Sequence, residues 1–337
     1  MADIQQEFGI HALNFTIHDV KSDIYYLNNE YTEYTNDKDM EHIVSYLFKL
    51  QLSDFTKSDK KKADKRFYSE VLTHKGLINL YHTGKGYNKD TVHIEMKGSA
   101  FDSAELNITD DDINRIVSCI VKPEIPWPYG KANVTDIHIY VDDKQQLLNF
   151  DQLQKLAVEH SVRTQCSLVA FPGAKDTDAR SLVFGARPKR YSIYESGRHR
   201  YRKEDSANKG IDSDFLDYIR VELQLSGEHA AAALGRYAAG ESLTSIHGAY
   251  FSDAITFLLP SCQKNKARWK TLPAWAQFLS AAGDAPYKPP RKPPTEGGHT
   301  AQLALYIRKL EELYGPRFVA NQLQHHIVEL DKKCIEF

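Results

Sequence analysis

Apolar and polar positions alternate with a period of two along several stretches of the chain. ALNFTIHDV (12–20) and VTDIHIYVDD (134–143) carry this pattern, which predicts strands with one buried face. INLYHTGKGYNKDTVHIEMKG (78–98) reads as two strands joined by a Gly-Lys-Gly turn. QCSLVAF, RSLVFGA and RYSIYES read as successive strands, and FLDYIRVELQLSG (215–227) as another that ends at Gly227. Between them the period changes to that of a helix. DMEHIVSYLFKL (39–50) spaces Ile43, Leu47 and Leu50 at helical intervals, and FDQLQKLAVEHS (150–161) is amphipathic. In NITDDDINRIVSCIV (107–121), Thr109 and Asp112 have capping-box spacing ahead of an apolar face of Ile113, Ile116, Val117 and Ile120. EHAAAALGRYAAG (228–240) is a run of good helix formers. The pattern predicts an α+β protein with a mostly antiparallel central sheet and flanking helices.

The pattern changes again near the end. APYKPPRKPPTEGG (285–298) is proline-rich and favours an extended, semi-rigid linker. A helical pattern follows over 300–333, interrupted near Gly315 and Pro316. The expected organisation is one large domain over 1–284, a linker over 285–299 and a helical C-terminal segment over 300–337.

Composition narrows the function classes. Apolar residues make up 42% of 337, too many for a disordered chain. The four cysteines are scattered with no C-x-x-C pair, which argues against a zinc ribbon or a disulfide framework. The N-terminus lacks a basic start followed by an apolar run, and no apolar span reaches membrane length, so a soluble cytoplasmic protein is expected. GKG at 84–86 lacks the spacing of a phosphate loop, and no other segment carries a nucleotide-binding fingerprint. The charge run KSDKKKADKR (57–66) reads as a solvated helix end or loop.

Net charge is −2, so affinity for nucleic acid would have to come from local clustering. Residues 187–209 supply it, with eight basic against three acidic residues. Arg187, Lys189, Arg190, Arg198, Arg200, Arg202 and Lys203 make this an electrostatic footprint for phosphates. Tyr191 and Tyr194 sit inside it, three apart and therefore on opposite faces of a strand. Acidic residues on strands are the second signal. His93 and Glu95 share a face, His138, Tyr140 and Asp142 share a face with Asp136, and Glu222 alternates with Val221 and Leu223. If these strands pair side by side, Glu95, Asp142, Glu222 and an imidazole gather into a site suited to Mg²⁺ or Mn²⁺. Tyrosine, cation and basic groove together make a transesterification, in which bond energy is conserved and no ATP is needed.

The ordered set VHIEMKG, VTDIHIYVDD, SLVFGARPKRYSIYESG, IRVELQLSGEHA and RWKTLPAWAQFL resembles the rolling-circle replication initiators of small plasmids and filamentous phages, the trans-acting Rep family. The resemblance spans roughly residues 78–280. It implies a divergent rolling-circle nuclease-like fold and an enzyme that nicks one strand of a supercoiled double-stranded origin through a tyrosine, with Mg²⁺ or Mn²⁺. The enzyme would stay on the 5′ end, leave a 3′-hydroxyl primer, and later rejoin the then single-stranded product. It implies a host helicase and polymerase as partners, and relatives often act as dimers. The family's tyrosine maps to Tyr194, with Tyr191 the other candidate. Its R-x-E-L-Q-L motif maps to Arg220, read with the DNA-binding residues, and Glu222, and its paired-aspartate motif ends at Asp142. Glu95 or His138 would complete the metal shell. Here His138 stands where the family has its first aspartate, Asp136 where it has arginine, and YES where YDK is usual. Two rivals remain: a catalytically silent DNA-binding repressor derived from an initiator, and a relaxase of conjugation or transposition.

Overall fold

The structure, a computed structural model, describes residues 7–280 except 21, 28–29, 36, 59–65, 102, 104–105, 122–128, 130–131, 167, 171–179, 197–217 and 264. The expected linker and C-terminal segment therefore lie outside the described residues, as do Arg198, Arg200, Arg202 and Lys203. The elements in chain order are β1 (Glu7–His18), β2 (Ser22–Leu27), β3 (Glu30–Thr35), α1 (Asp37–Phe48), β4 (Thr56–Lys57), β5 (Tyr68–His74), β6 (Ile78–Gly84) and β7 (Thr91–Lys97). A one-turn helix α2 (Gly98–Phe101) is followed by α3 (Asp110–Val121), β8 (Asn133–Asp143), α4 (Phe150–Val158), β9 (Val162–Thr164) and β10 (Leu168–Ala170). Then come β11 (Ser181–Ala186), β12 (Lys189–Glu195), β13 (Ile219–Ser226), α5 (Glu228–Ala238), α6 (Leu243–Ala254), β14 (Ile255–Phe257) and α7 (Pro273–Ser280). The fold is α+β, as the alternating pattern predicts.

Ten strands form one antiparallel sheet in the order β10-β11-β12-β13-β8-β1-β7-β6-β5-β4. Alternation then decides what each face holds. Leu13, Phe15, Ile17, Ile94, Met96, Ile137, Ile139, Val221, Leu223, Tyr191 and Ile193 fall on one face and are buried in a single core with α1, α3, α5 and α6. Each such side chain contributes on the order of 1.5–3 kcal/mol on burial, so this face fixes the register of the whole sheet. The other face carries Asp136, His138, Asp142, Arg220, Glu222, Gln224, Arg190 and Tyr194.

Thr109 caps α3 as its spacing predicts. Its hydroxyl accepts from the Asp112 amide at 3.3 Å, and its own amide donates to Asp112 Oδ2 at 3.0 Å. Helix α6 has no polar stripe: Leu243, Ile246, His247, Ala249, Tyr250, Phe251 and Ala254 are all buried. α7 closes the core with Trp275, whose ring is stacked on Phe278 and meets Phe257 edge-on. Among the described residues no helix is long and apolar enough to cross a membrane.

Candidate active site

Register brings the polar residues of three neighbouring strands into rows. Ser192 of β12 faces Glu222 of β13, which faces Tyr140 of β8. One row along, Tyr194 faces Arg220, which faces Asp142; in the other direction, Arg190 faces Gln224, which faces His138. Glu222 is the centre. Tyr194 donates its hydroxyl to Glu222 Oε2 at 2.7 Å, and Gln224 donates its amide to Oε1 at 2.8 Å. His138 Nδ1 lies 3.2 Å from Oε1. A second imidazole, His11, reaches Oε2 through Nδ1 at 2.9 Å.

His11 reaches this face through a β-bulge. Ile10 pairs with Ile139 and Ala12 with His138, so His11 is one extra residue against β8. Strict alternation from Leu13 would turn His11 toward the core. The bulge re-aims it, a common use of bulges beside active sites. Two glycines make room. A Cβ on Gly98 would stand 2.1 Å from His11 Cδ2, and one on Gly9 would stand 2.9 Å from the Tyr140 hydroxyl. Sequence reasoning began the first strand at residue 12 and missed His11. The signal available was a histidine two residues after a glycine at the start of an alternating strand.

The electrostatics follow from burial and partners. Burial alone would raise the Glu222 carboxyl, but the bonds from His11 and His138 outweigh it and hold the group well below the ordinary carboxylate range. Burial pushes the Tyr194 hydroxyl far up, and the Glu222 charge adds to that. The resting pair is therefore a neutral phenol donating to a carboxylate.

His11, His138 and Glu222 each offer a ligand atom, and these atoms lie within 4.8 Å of one another. Two imidazoles and one carboxylate fit a divalent transition ion, with Mn²⁺ better matched than Mg²⁺, which prefers oxygen. This set differs from the oxygen-rich one expected from the sequence. Asp142 is not in it, because both its oxygens accept from Arg220, Nε at 2.6 Å and Nη2 at 2.8 Å. Arg220 is 3% exposed and lies over the Tyr140 ring at 3.8 Å, so it holds Asp142 rather than reaching out to DNA. Glu95 is not brought to Glu222 either, because β1 separates β7 from β8. It accepts from Arg66 at 2.8 Å, Asn79 at 2.9 Å and Tyr81 at 2.9 Å, in a separate cluster that includes His93.

The two tyrosines point to opposite faces, as their spacing predicts. Tyr191 is 1% exposed and packs edge-on against Phe251 in the core, out of reach of Glu222's face. Burial pushes its hydroxyl far up as well. Of the basic residues, Arg187 is exposed at the turn between β11 and β12, Arg190 is exposed near the start of β12, and Lys189 is half-buried. Arg187 donates to Asp136 at 3.0 Å.

Residues 132–296 match the model of the family described as replication initiation factor. That span contains His138, Tyr194, Arg220 and Glu222 but not His11. No curated protein sequence is significantly similar to the chain. Among solved structures, the chain is similar to the rolling circle replication initiator protein from Geobacillus stearothermophilus, with 18% identity and a TM-score of 0.57 over 84% of this chain and 99% of that one. At this identity the likeness shows the fold.

Proposed function

Residues 132–296 match the family of replication initiation factors, and from that premise we propose that the chain is a rolling-circle initiator that nicks one strand of an origin by tyrosine transesterification with Tyr194 as the nucleophile. The observation that carries this reading is the hydrogen bond from Tyr194 to a carboxylate, Glu222, that two imidazoles also hold. Origin DNA is the substrate, first as supercoiled duplex and then as single strand.

The chemistry divides among the residues as follows. The Tyr194 oxygen attacks the scissile phosphorus in line, and the bond from phosphorus to the 3′-oxygen breaks. The phenolic proton passes to Glu222 as the new bond forms. Glu222 is a weak base at equilibrium, so proton and bond must move together. The departing 3′-oxygen takes a proton from solvent or an imidazole and becomes the 3′-hydroxyl primer. The 5′ end is left as a phosphotyrosine. In the reverse step the 3′-hydroxyl attacks that phosphotyrosine and gives up its proton to solvent or an imidazole, while Tyr194 leaves and takes a proton relayed through Glu222. His11, His138 and Glu222 would hold a divalent ion, Mn²⁺ or Mg²⁺, which when bound neutralises charge developing on the phosphate oxygens. Asp142 fixes Arg220 beside Tyr194, which holds that end of the row rigid.

The test is Tyr194→Phe. The variant keeps the ring and loses only the attacking oxygen. It should retain fold and DNA affinity and form no covalent protein–DNA adduct on supercoiled origin DNA with Mn²⁺. Peptide mass spectrometry after nuclease digestion locates the adduct. A nucleotide on another residue, or full nicking by the variant, overturns the assignment. A wild-type protein that binds origin DNA and never forms an adduct is a repressor instead.

A further inference from the structure

A cavity of about 440 Å³ opens beside the Glu222 row on the same face of the sheet. Its lining includes Asp136, His138, Arg187, Arg190, Gln224 and Ser226. Two of these residues, His138 and Gln224, also contact Glu222. The cavity and the nucleophile's carboxylate thus share a wall. We propose that this cavity receives one unstacked nucleobase of the nicked strand, next to the scissile phosphate. The proposal rests on the nicking reading above and adds where the neighbouring nucleotide goes.

Size, position and wall chemistry carry it. The volume lies within the roughly 300–1,000 Å³ typical of small-molecule pockets, enough for a base and its sugar. Arg190 and Gln224 stand two residues along their strands from Ser192 and Glu222. That is about 7 Å, or roughly two stacked nucleotides at 3.4 Å each. The mouth is cationic. Arg187 and Arg190 are exposed there, and Arg190 has no ion-pair partner among the described residues. The interior changes character, with the polar residues Ser226, Gln224 and Asp136 beside apolar Val183. A bare phosphate would need the arginines but no such recess. A base has apolar faces and a polar edge, and it can enter only when taken out of the stack. The Gln224 amide donates to Glu222, which leaves its carbonyl oxygen to meet a base edge.

The experiment starts from a pool of random-sequence single-stranded oligonucleotides incubated with the wild-type protein and Mn²⁺. Sequencing the covalently captured strands gives the nick position. Single abasic sites are then placed at each position of a captured sequence. Capture should fall about tenfold or more at one position flanking the nick, the loss expected of one base contact. Ser226→Trp provides the second arm. Ser226 lines the cavity on the same face of β13 as Gln224, opposite Asp136, and stands four residues from Glu222, so the new ring should fill the recess without disturbing Glu222. This variant should still form the adduct, more slowly, and should no longer respond to the abasic site. Equal capture at every abasic position near the nick, or a wild-type profile from Ser226→Trp, overturns the cavity assignment while leaving nicking intact. Failure to capture any strand overturns the nicking reading instead. The cavity is then judged by binding of the fluorescent nucleotide 2-aminopurine deoxyribonucleoside monophosphate, which should be lost in Ser226→Trp, and equal binding to both proteins overturns it.

Discussion

Alternation turns Glu222 away from the core, yet it is only 3% exposed, because His11, His138, Gln224 and Tyr194 close over it. Those neighbours contribute unequally, and substitution should separate them. Gly98→Ala puts a methyl group 2.1 Å from His11 Cδ2, so the imidazole must move. Isothermal titration should show Mn²⁺ affinity falling by about 10–100-fold, the usual effect of disturbing a ligand's support. Unchanged affinity would remove His11 from the set. Asp142→Ala should act differently. It leaves the Arg220 charge buried without its partner, at a cost of about 3–5 kcal/mol in stability, while the folded fraction keeps its Mn²⁺ affinity. Denaturant melts together with titration distinguish the two effects. That Glu222 turns from the core and that Tyr191 and Tyr194 oppose each other were legible in the sequence because the parity of a strand needs only counting, whereas the choice of Tyr194 came from the resemblance. His11 was not, because one inserted residue reverses parity, and a single sequence does not mark where a bulge falls. Asp142 was legible as a polar-face residue, but its pairing with Arg220 depends on the register of β13 against β8.

At the scale of elements, strands and capped helices were readable where one face was wet. The Thr109–Asp112 box and the alternation in β8 are examples, and both appear where the spacing predicts. Helix α6 was missed because it is buried nearly all round and has no amphipathic period to detect. Glu95 was placed on the right face but the wrong side of β1, since face follows from sequence and strand order does not. The β7 cluster it belongs to predicts a pH dependence. Burial first, then the Arg66 charge, lowers His93 to about 4, against a rise from Glu95. Its ring also faces Thr16, Tyr81 and Tyr68. On α6, burial lowers His247 to about 4 despite its bond to the Val221 carbonyl. Unfolded, both would titrate near 6.5. Between about 6.5 and about 4 the unfolded state binds the extra protons, so stability falls as pH falls through that window and is fully present above it. Each histidine contributes a slope of up to about 1.4 kcal/mol per pH unit. Urea melts across the window should show it, and His93→Gln should flatten the slope. A melt midpoint independent of pH there would contradict the buried, neutral state of both rings.

At the scale of the whole molecule, charge is distributed rather than abundant. A net charge of −2 provides no general attraction to DNA, so binding is expected from a local cluster, and the one proposed is residues 187–209, eight of which are basic. The sheet puts the start of that run, Arg187 and Arg190, at the mouth of the cavity beside Glu222. Arg198, Arg200 and Arg202 follow in sequence just after β12, outside the described residues. If they continue the same track, each neutralises a phosphate and releases counterions. Replacing all three by alanine should then reduce the slope of log K against log salt by about 0.9 per contact on duplex DNA, and about 0.7 per contact on single strands. Affinity measured by fluorescence anisotropy across a salt series reads this directly. An unchanged slope would mean that the basic run does not track the backbone, and that the affinity of a nearly neutral protein arises on another surface.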